Sequence, residues 1–258
     1  NVDKAEKPPR VSQNPVMDFN EAPELIQELV GNIYADRVVK LGQRTAEMHL
    51  ALASDDTDQA FAPEKITSNY QRAVYSSMRK LVKDRFKLLA QKLKELPDNV
   101  AELASEILDR ESDVMDCFSQ FHKQKIDGSK TRIHGDYHLG QVLFNGKDFV
   151  IIDFEGEPGF TFSERRLKKS PVKDVAGMMR SFHYAAYGKI LLNENFRDKD
   201  IGYLETWAEQ WQHYISRFYL SAYLKRMGMD KKLTESYEVK IRTYLLEKAI
   251  YELGYELN

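Results

Sequence analysis

The 258-residue sequence has one cysteine, Cys117, which cannot close an internal disulfide and is too few for a thiolate zinc site. Disulfide-stapled secreted scaffolds are excluded, and any chemistry falls to oxygen and nitrogen groups. An excess of charge is also missing. The 38 Lys and Arg face 40 Asp and Glu, a formal net charge of −2, so no field of one sign exists to hold nucleic acid or an anionic membrane. No stretch approaches the roughly 20 apolar residues of a membrane span. The opening NVDKAEKPPRVSQNP lacks the apolar centre of a signal peptide, which makes a cytoplasmic location the expectation. Neither GxGxxG nor GxxxxGK occurs, and the nearest approach, Gly140 to Gly146-Lys147, has the wrong spacing for a phosphate-wrapping loop. Internal repeats, low-complexity tracts and sustained heptads are absent, which argues against a solenoid or coiled coil.

What remains is an ordinary globular composition, 42% apolar and 30% charged. Residues 1–20, with Pro8, Pro9 and Pro15, read as a linker. From Ala22 to Ala53, Leu25, Leu29, Ile33, Val38 and Leu41 recur mostly at helical spacing, with Gly31 and Gly42 between them, predicting a helix broken once. After a loop from Ser54 that carries Pro63, a second helical run spans about 64–96, and Pro97-Asp98 opens a third reaching about Lys123. The pattern then changes. Between Lys130 and Asp153, β-branched and aromatic clusters flank Asn145-Gly146, which predicts a type I′ hairpin with strands near 142–145 and 149–153. A Gly-, Pro- and Lys/Arg-rich loop (156–171) follows, then helical runs at about 172–192, 199–227 and 231–254, punctuated by Asn193-Glu194-Asn195 and Gly228. The fold class is mainly α with a small β-hairpin.

The sharpest local feature is His134-Gly135-Asp136, followed five residues later by Gln141 and then by Asp153 at the end of the second hairpin strand. A carboxylate beside a strand end can accept the proton of an attacking hydroxyl, while an amide carbonyl and a second carboxylate suit Mg²⁺, which prefers oxygen ligands. The order copies the kinase pattern of a catalytic-loop Asp, a metal-binding amide and a metal-binding Asp after a hairpin. Phosphoryl transfer is the implied reaction, with Asp136 as base and Gln141 and Asp153 as metal ligands. Taken singly, the His could hold a loop by hydrogen bonds and Asp153 could cap a turn.

TRIHGDYHLGQVLFNGKDFVIIDFEGEP, continuing through ERRLKKSPVKDVAGMMRSFHYAA, resembles the maltokinases, including the maltokinase region fused to trehalose synthase in some bacteria, within the aminoglycoside-phosphotransferase-like kinases. The likeness is closest over about 131–186, and LGQRTAEMHLALA (41–53) resembles the helix after the interlobe hinge. Most of the broad family has Asn where Gln141 stands; Gln keeps the carbonyl on a longer stem, as the maltokinase version of the loop does.

The resemblance implies the C-terminal lobe of a protein-kinase-like fold over 21–258, with the catalytic hairpin in 131–157 and residues 1–20 as the remnant of a hinge from an ATP-covering N-terminal lobe. It implies ATP- and Mg²⁺-dependent phosphorylation of maltose to maltose 1-phosphate for α-glucan synthesis. Maltose, ATP and a fused or associated trehalose synthase are its expected partners, with no nucleic acid or membrane. The nucleotide-binding residues of the missing lobe are not in this chain, so the fragment alone is expected to be inactive.

Five further positions carry two readings each. His138 either faces the acceptor sugar or stabilises its loop, and Glu155 either assists the metal or sugar or ends the hairpin in solvent. Arg180 either reaches the site or pairs with Asp174 or Glu155. Trp207 and Trp211, on one helical face with Tyr214 and Phe218, form either a sugar platform or core. The basic run Arg165, Arg166, Lys168 and Lys169 suits a phosphate, an acidic partner or a solvated loop. Two alternatives to maltose phosphorylation stand. One is a kinase for an aminoglycoside, choline or amino sugar, whose cationic acceptor calls for an acidic pocket. The other is a non-catalytic sugar-binding or docking module of a trehalose synthase.

Overall fold

Helical periodicity in the first half is realised with one more break than its spacing suggests. In the computed structural model, which describes residues 14–192, 196–229 and 233–257, α1 (Glu24–Val30) and α2 (Asn32–Leu52) part at Gly31, where φ is 72°. Helix α3 (Ser68–Lys92) starts four residues after the predicted Glu64, because Thr67 Oγ1 accepts the Tyr70 N–H as its N-cap. Glu64–Lys65 instead form β1, paired antiparallel with β2 (Ser129–Lys130). The run ending at Lys123 divides at Arg110 into α4 (Asp98–Asp109) and α5 (Glu111–Lys123).

The hairpin strands are β3 (Val142–Phe144) and β4 (Phe149–Ile151), in register Val142↔Ile151, Leu143↔Val150 and Phe144↔Phe149. The turn is not type I′. The Asn145 N–H bonds the Asp148 carbonyl, so Gly146-Lys147 are the central pair, and only Gly146 has positive φ. Asn145 works through its side chain, whose Oδ1 accepts the N–H groups of Lys147 and Asp148 at 3.1 and 2.9 Å.

Beyond a four-residue helix α6 (Phe162–Arg165), closed by a Thr161–Glu164 capping box, come α7 (Val172–Leu191), α8 (Asp198–Arg226) and α9 (Glu235–Glu256). These match the three predicted runs. Asn193-Glu194-Asn195, Pro8 and Pro9 lie outside the described residues. The last part of the predicted linker is packed: Val16 and Met17 are buried in the core, and Arg217 Nε donates to the Asn14 carbonyl.

Helix α8 is the core's axis, with α2 packed on it, α7 between it and α9, and α3 and α5 against α9. Its Tyr214, Ile215, Phe218, Tyr219, Leu220 and Tyr223 are all buried; each such side chain contributes roughly 1.5–3 kcal/mol. Helix α2 also grips the hairpin. Arg44 makes a two-pronged bond to the Asp148 carboxylate at 2.8 and 2.7 Å, Lys40 Nζ donates to the Lys147 carbonyl, and Arg37 lies 4.7 Å over the Phe144 ring. Among the described residues, no helix is long and apolar enough to cross a membrane.

Candidate active site

The loop carrying Asp136 is built around a buried carboxylate. Asp174, in the first turn of α7, accepts the N–H groups of His134 and Gly135 at 2.8 and 3.0 Å. Its Oδ2 also accepts Nε2–H of His49, whose Nδ1 bonds the Tyr223 hydroxyl. Burial by itself would raise the Asp174 carboxyl, but the His49 ring and the two backbone donors outweigh it and hold the group below the ordinary carboxylate value. One residue past Asp136, Tyr137 is buried with its hydroxyl on Thr45 Oγ1, which also accepts from Tyr219 and donates to the Leu41 carbonyl. Burial drives the Tyr137 hydroxyl far above its ordinary value, so it acts as a neutral donor. Gly177 of α7 is required at this crossing, since a Cβ there would stand 2.6 Å from the Tyr137 carbonyl oxygen.

A single imidazole joins this loop to the hairpin. His134 Nε2–H donates to the Ile152 carbonyl at 2.8 Å, while its Nδ1 receives the Asp136 N–H at 3.4 Å. The ring packs on Phe154 and Tyr137. Asp153, next to Ile152, is the one non-glycine residue with positive φ (63°) among the described residues, a conformation Asp tolerates better than most. Its Oδ2 accepts Gln141 Nε2–H at 2.8 Å. The two proposed metal ligands are therefore in direct contact at the surface. Turning the Gln141 amide over would present its carbonyl beside the Asp153 carboxylate, an all-oxygen pair that fits a hard divalent cation. Among the described residues there is no cluster of three or more His, Cys, Asp and Glu able to hold a metal.

Asp136 opens on its other side into a cleft of about 340 Å³ between α3, α7 and α9. Lys248 of α9 reaches across it, its Nζ 3.6 Å from Asp136 Oδ1 and 3.3 Å from Glu157 Oε2. Tyr251 donates to Glu157 Oε1 at 2.9 Å, and burial followed by the Glu157 charge pushes its hydroxyl up to about 12. The cleft wall carries six carboxylates (Asp84, Asp136, Glu157, Glu164, Asp174, Glu247) against four cations (Lys80, Arg85, Lys173, Lys248).

His138 holds its own loop and lies beside Asp136. Its Nδ1 accepts the Gly140 N–H at 3.0 Å, which leaves Nε2–H facing Asp136 Oδ2 at 3.8 Å. Glu155 is exposed and does not line the cleft. Arg180 is paired with Glu252 rather than with Asp174 or Glu155, and lines a separate cavity with Cys117 and His183. Trp207 and Trp211 also lie away from the cleft: they are half-buried against the core, beside Tyr203 and Tyr34 respectively. With Tyr214 and Phe218 fully buried, that aromatic stripe is packing. The basic run is mostly structural: Arg165 staples its own loop by donating to the Phe160 and Pro158 carbonyls, and Lys168 ties that loop to the segment before α3 through the Gln59 and Ala62 carbonyls and Glu64. Glu157, Lys248 and Tyr251 carry no motif that marks them in the sequence.

Residues 16–156 match the phosphotransferase enzyme family (APH). A glucosamine kinase of Streptacidiphilus jiangxiensis is 28% identical over 122 residues, 44% of this chain and 26% of the relative. One from Mycolicibacterium smegmatis (strain ATCC 700084 / mc(2)155) is 46% identical over 54 residues, 20% of this chain and 13% of the relative. The structure of a glucosamine kinase in complex with glucosamine, ADP and inorganic phosphate superposes with a TM-score of 0.69 at 19% identity, over 88% of this chain and 48% of that one. A second crystal form of a glucosamine kinase gives 0.70 at 18%, over 93% and 53%. This likeness establishes a shared kinase-like fold. The chain spans about half the length of the solved structures and about a quarter or less of the curated relatives.

Proposed function

This chain belongs to the phosphotransferase enzyme family, and on that premise we propose that it carries the acceptor and metal side of an ATP-dependent sugar kinase, with an amino sugar as acceptor. The observation that supports this most is the His134 bridge, which ties Asp136 to the strand end bearing Asp153 and, through it, to Gln141. In this reading Asp136 accepts the proton of a sugar hydroxyl presented from the cleft, and His138 Nε2–H and Lys248 orient its carboxylate from either side. Gln141 and Asp153 hold Mg²⁺, which when bound with the nucleotide neutralises charge on the transferred phosphoryl group. In the same reading residues 21–258 are the helical lobe of the fold.

Two facts favour an amino sugar over maltose as acceptor: the relatives are named glucosamine kinases, and carboxylates outnumber cations around the cleft. Two of those carboxylates, on Asp136 and Glu157, already share one ammonium, that of Lys248. A trehalose synthase partner draws no support from these relatives.

The test is ATP-dependent phosphorylation by the full-length protein containing this chain, offered glucosamine, glucose, choline and maltose. Glucosamine is expected to give product, and Asp136→Asn to lower the rate about 10²–10⁴-fold with an unchanged melting curve. Product from maltose alone would restore the disaccharide reading. Unaffected phosphorylation by Asp136→Asn would remove the base assignment.

A further inference from the structure

The acceptor cleft does not end at Tyr244. A second chamber of about 320 Å³ shares Phe160, Glu164, Lys173, Tyr244 and Glu247 with the first and has the opposite charge balance. Four lysines (130, 168, 169 and 173) line it against Glu164 and Glu247. Three of the lysines are neutralised: Lys130 and Lys168 by Glu64, and Lys173 by Glu247 at 2.6 Å. Lys169 is not. Among the described residues no carboxylate lies within ion-pairing distance of it, and its ammonium sits 4.9 Å from the Phe160 ring. Its backbone is fixed by paired hydrogen bonds with Thr131, both 2.9 Å, so the side chain projects from a rigid base. Burial, and then the neighbouring Lys173 charge, hold Lys169 below the ordinary lysine value, against the weaker opposing pull of Glu247, Asp174 and Glu164. At the boundary between the chambers Tyr244 is buried, with its hydroxyl turned to Tyr70 and Ser170.

We propose that this second chamber is an anion subsite of the acceptor cleft, where Lys169 takes the carboxylate or phosphate of a sugar whose reacting hydroxyl faces Asp136. The inference rests on the phosphotransfer reading and extends it: the acceptor is longer than an unsubstituted monosaccharide, cationic or neutral at the Asp136 end and anionic at the Lys169 end. A charge-assisted bond in a partly dry site makes the anionic end a source of affinity as well as of selectivity.

Calorimetry on this chain with glucuronate, glucose and inorganic phosphate tests it. Glucuronate is expected to bind about tenfold more tightly than glucose, and phosphate to compete with it. Lys169→Gln should abolish both effects and Lys169→Arg should keep them, with thermal unfolding confirming that each variant folds. Equal affinities, no detectable glucuronate binding, absence of phosphate competition, or a preference that survives Lys169→Gln would each overturn the subsite. The two readings fail separately. If the preference is missing while Asp136-dependent phosphorylation is intact, the subsite falls and the transfer reading stands. If a Lys169-dependent preference persists in a protein whose Asp136→Asn variant phosphorylates normally, the transfer reading falls instead.

Discussion

The two parts of the candidate site are held in opposite ways. The Asp136 loop hangs from a buried polar network in which Asp174, His49, Tyr223, Thr45, Tyr137 and Tyr219 satisfy one another. The Gln141–Asp153 pair sits at the surface on three-residue strands and is joined by one hydrogen bond. A general base must be aimed to within fractions of an ångström, and a low-dielectric network with two discrete fates, intact or broken, achieves that. Metal ligands gain from staying adaptable until ion and nucleotide arrive together, and an exposed amide that can turn over provides it. Rigidity is thus concentrated on the acceptor side and pliancy on the metal side.

Breaking the rigid part should produce the largest effects. Asp174→Ala leaves His49 and two backbone N–H groups without their acceptor and should lower stability by about 3–5 kcal/mol in urea unfolding, with phosphorylation lost as well. The same carboxylate sets an acid limit. Its folded value lies below the unfolded one, so its contribution is complete above about pH 4 and is lost as pH falls through the lower folded value. An Asp174→Asn variant should lack that part of the acid-unfolding curve. Gly177→Ala pushes a methyl against the Tyr137 carbonyl and should cost about 1–3 kcal/mol, lowering kcat by displacing the neighbouring Asp136. The smallest effect on stability belongs to the pliant part: Gln141→Ala should stay within about 0.5 kcal/mol of the parent. It should nonetheless raise the Mg²⁺ needed for half-maximal rate about tenfold. A stability loss at Gln141 comparable to that at Asp174 would erase the contrast.

The helices, the hairpin and the trio Asp136, Gln141 and Asp153 were legible because the signals that mark them are local: apolar spacing, an Asn-Gly turn, and three polar residues within eighteen positions. The turn type was misjudged because Asn-Gly is as suited to one residue's displacement, with Asn145 acting through its side chain, as to occupying both central positions. β1 is hidden in the sequence because two residues paired with Lys130 and Ser129, more than 60 positions on, leave no periodicity. Glu157, Lys248 and Tyr251 are invisible for the same reason on a larger scale: they meet only when α9 lies against the loop before α6, more than 90 positions away. Trp207 and Trp211 show the converse problem, since spacing that would build a platform also builds a core.

The Arg37, Lys40 and Arg44 contacts lie at i, i+3 and i+7 on α2, and all reach the β3–β4 hairpin. Thr45 and His49, on the same helix, hold Tyr137 and Asp174. One helix therefore carries the fastenings of both the hairpin and the Asp136 loop, so a bend in α2 would be felt by both halves of the site.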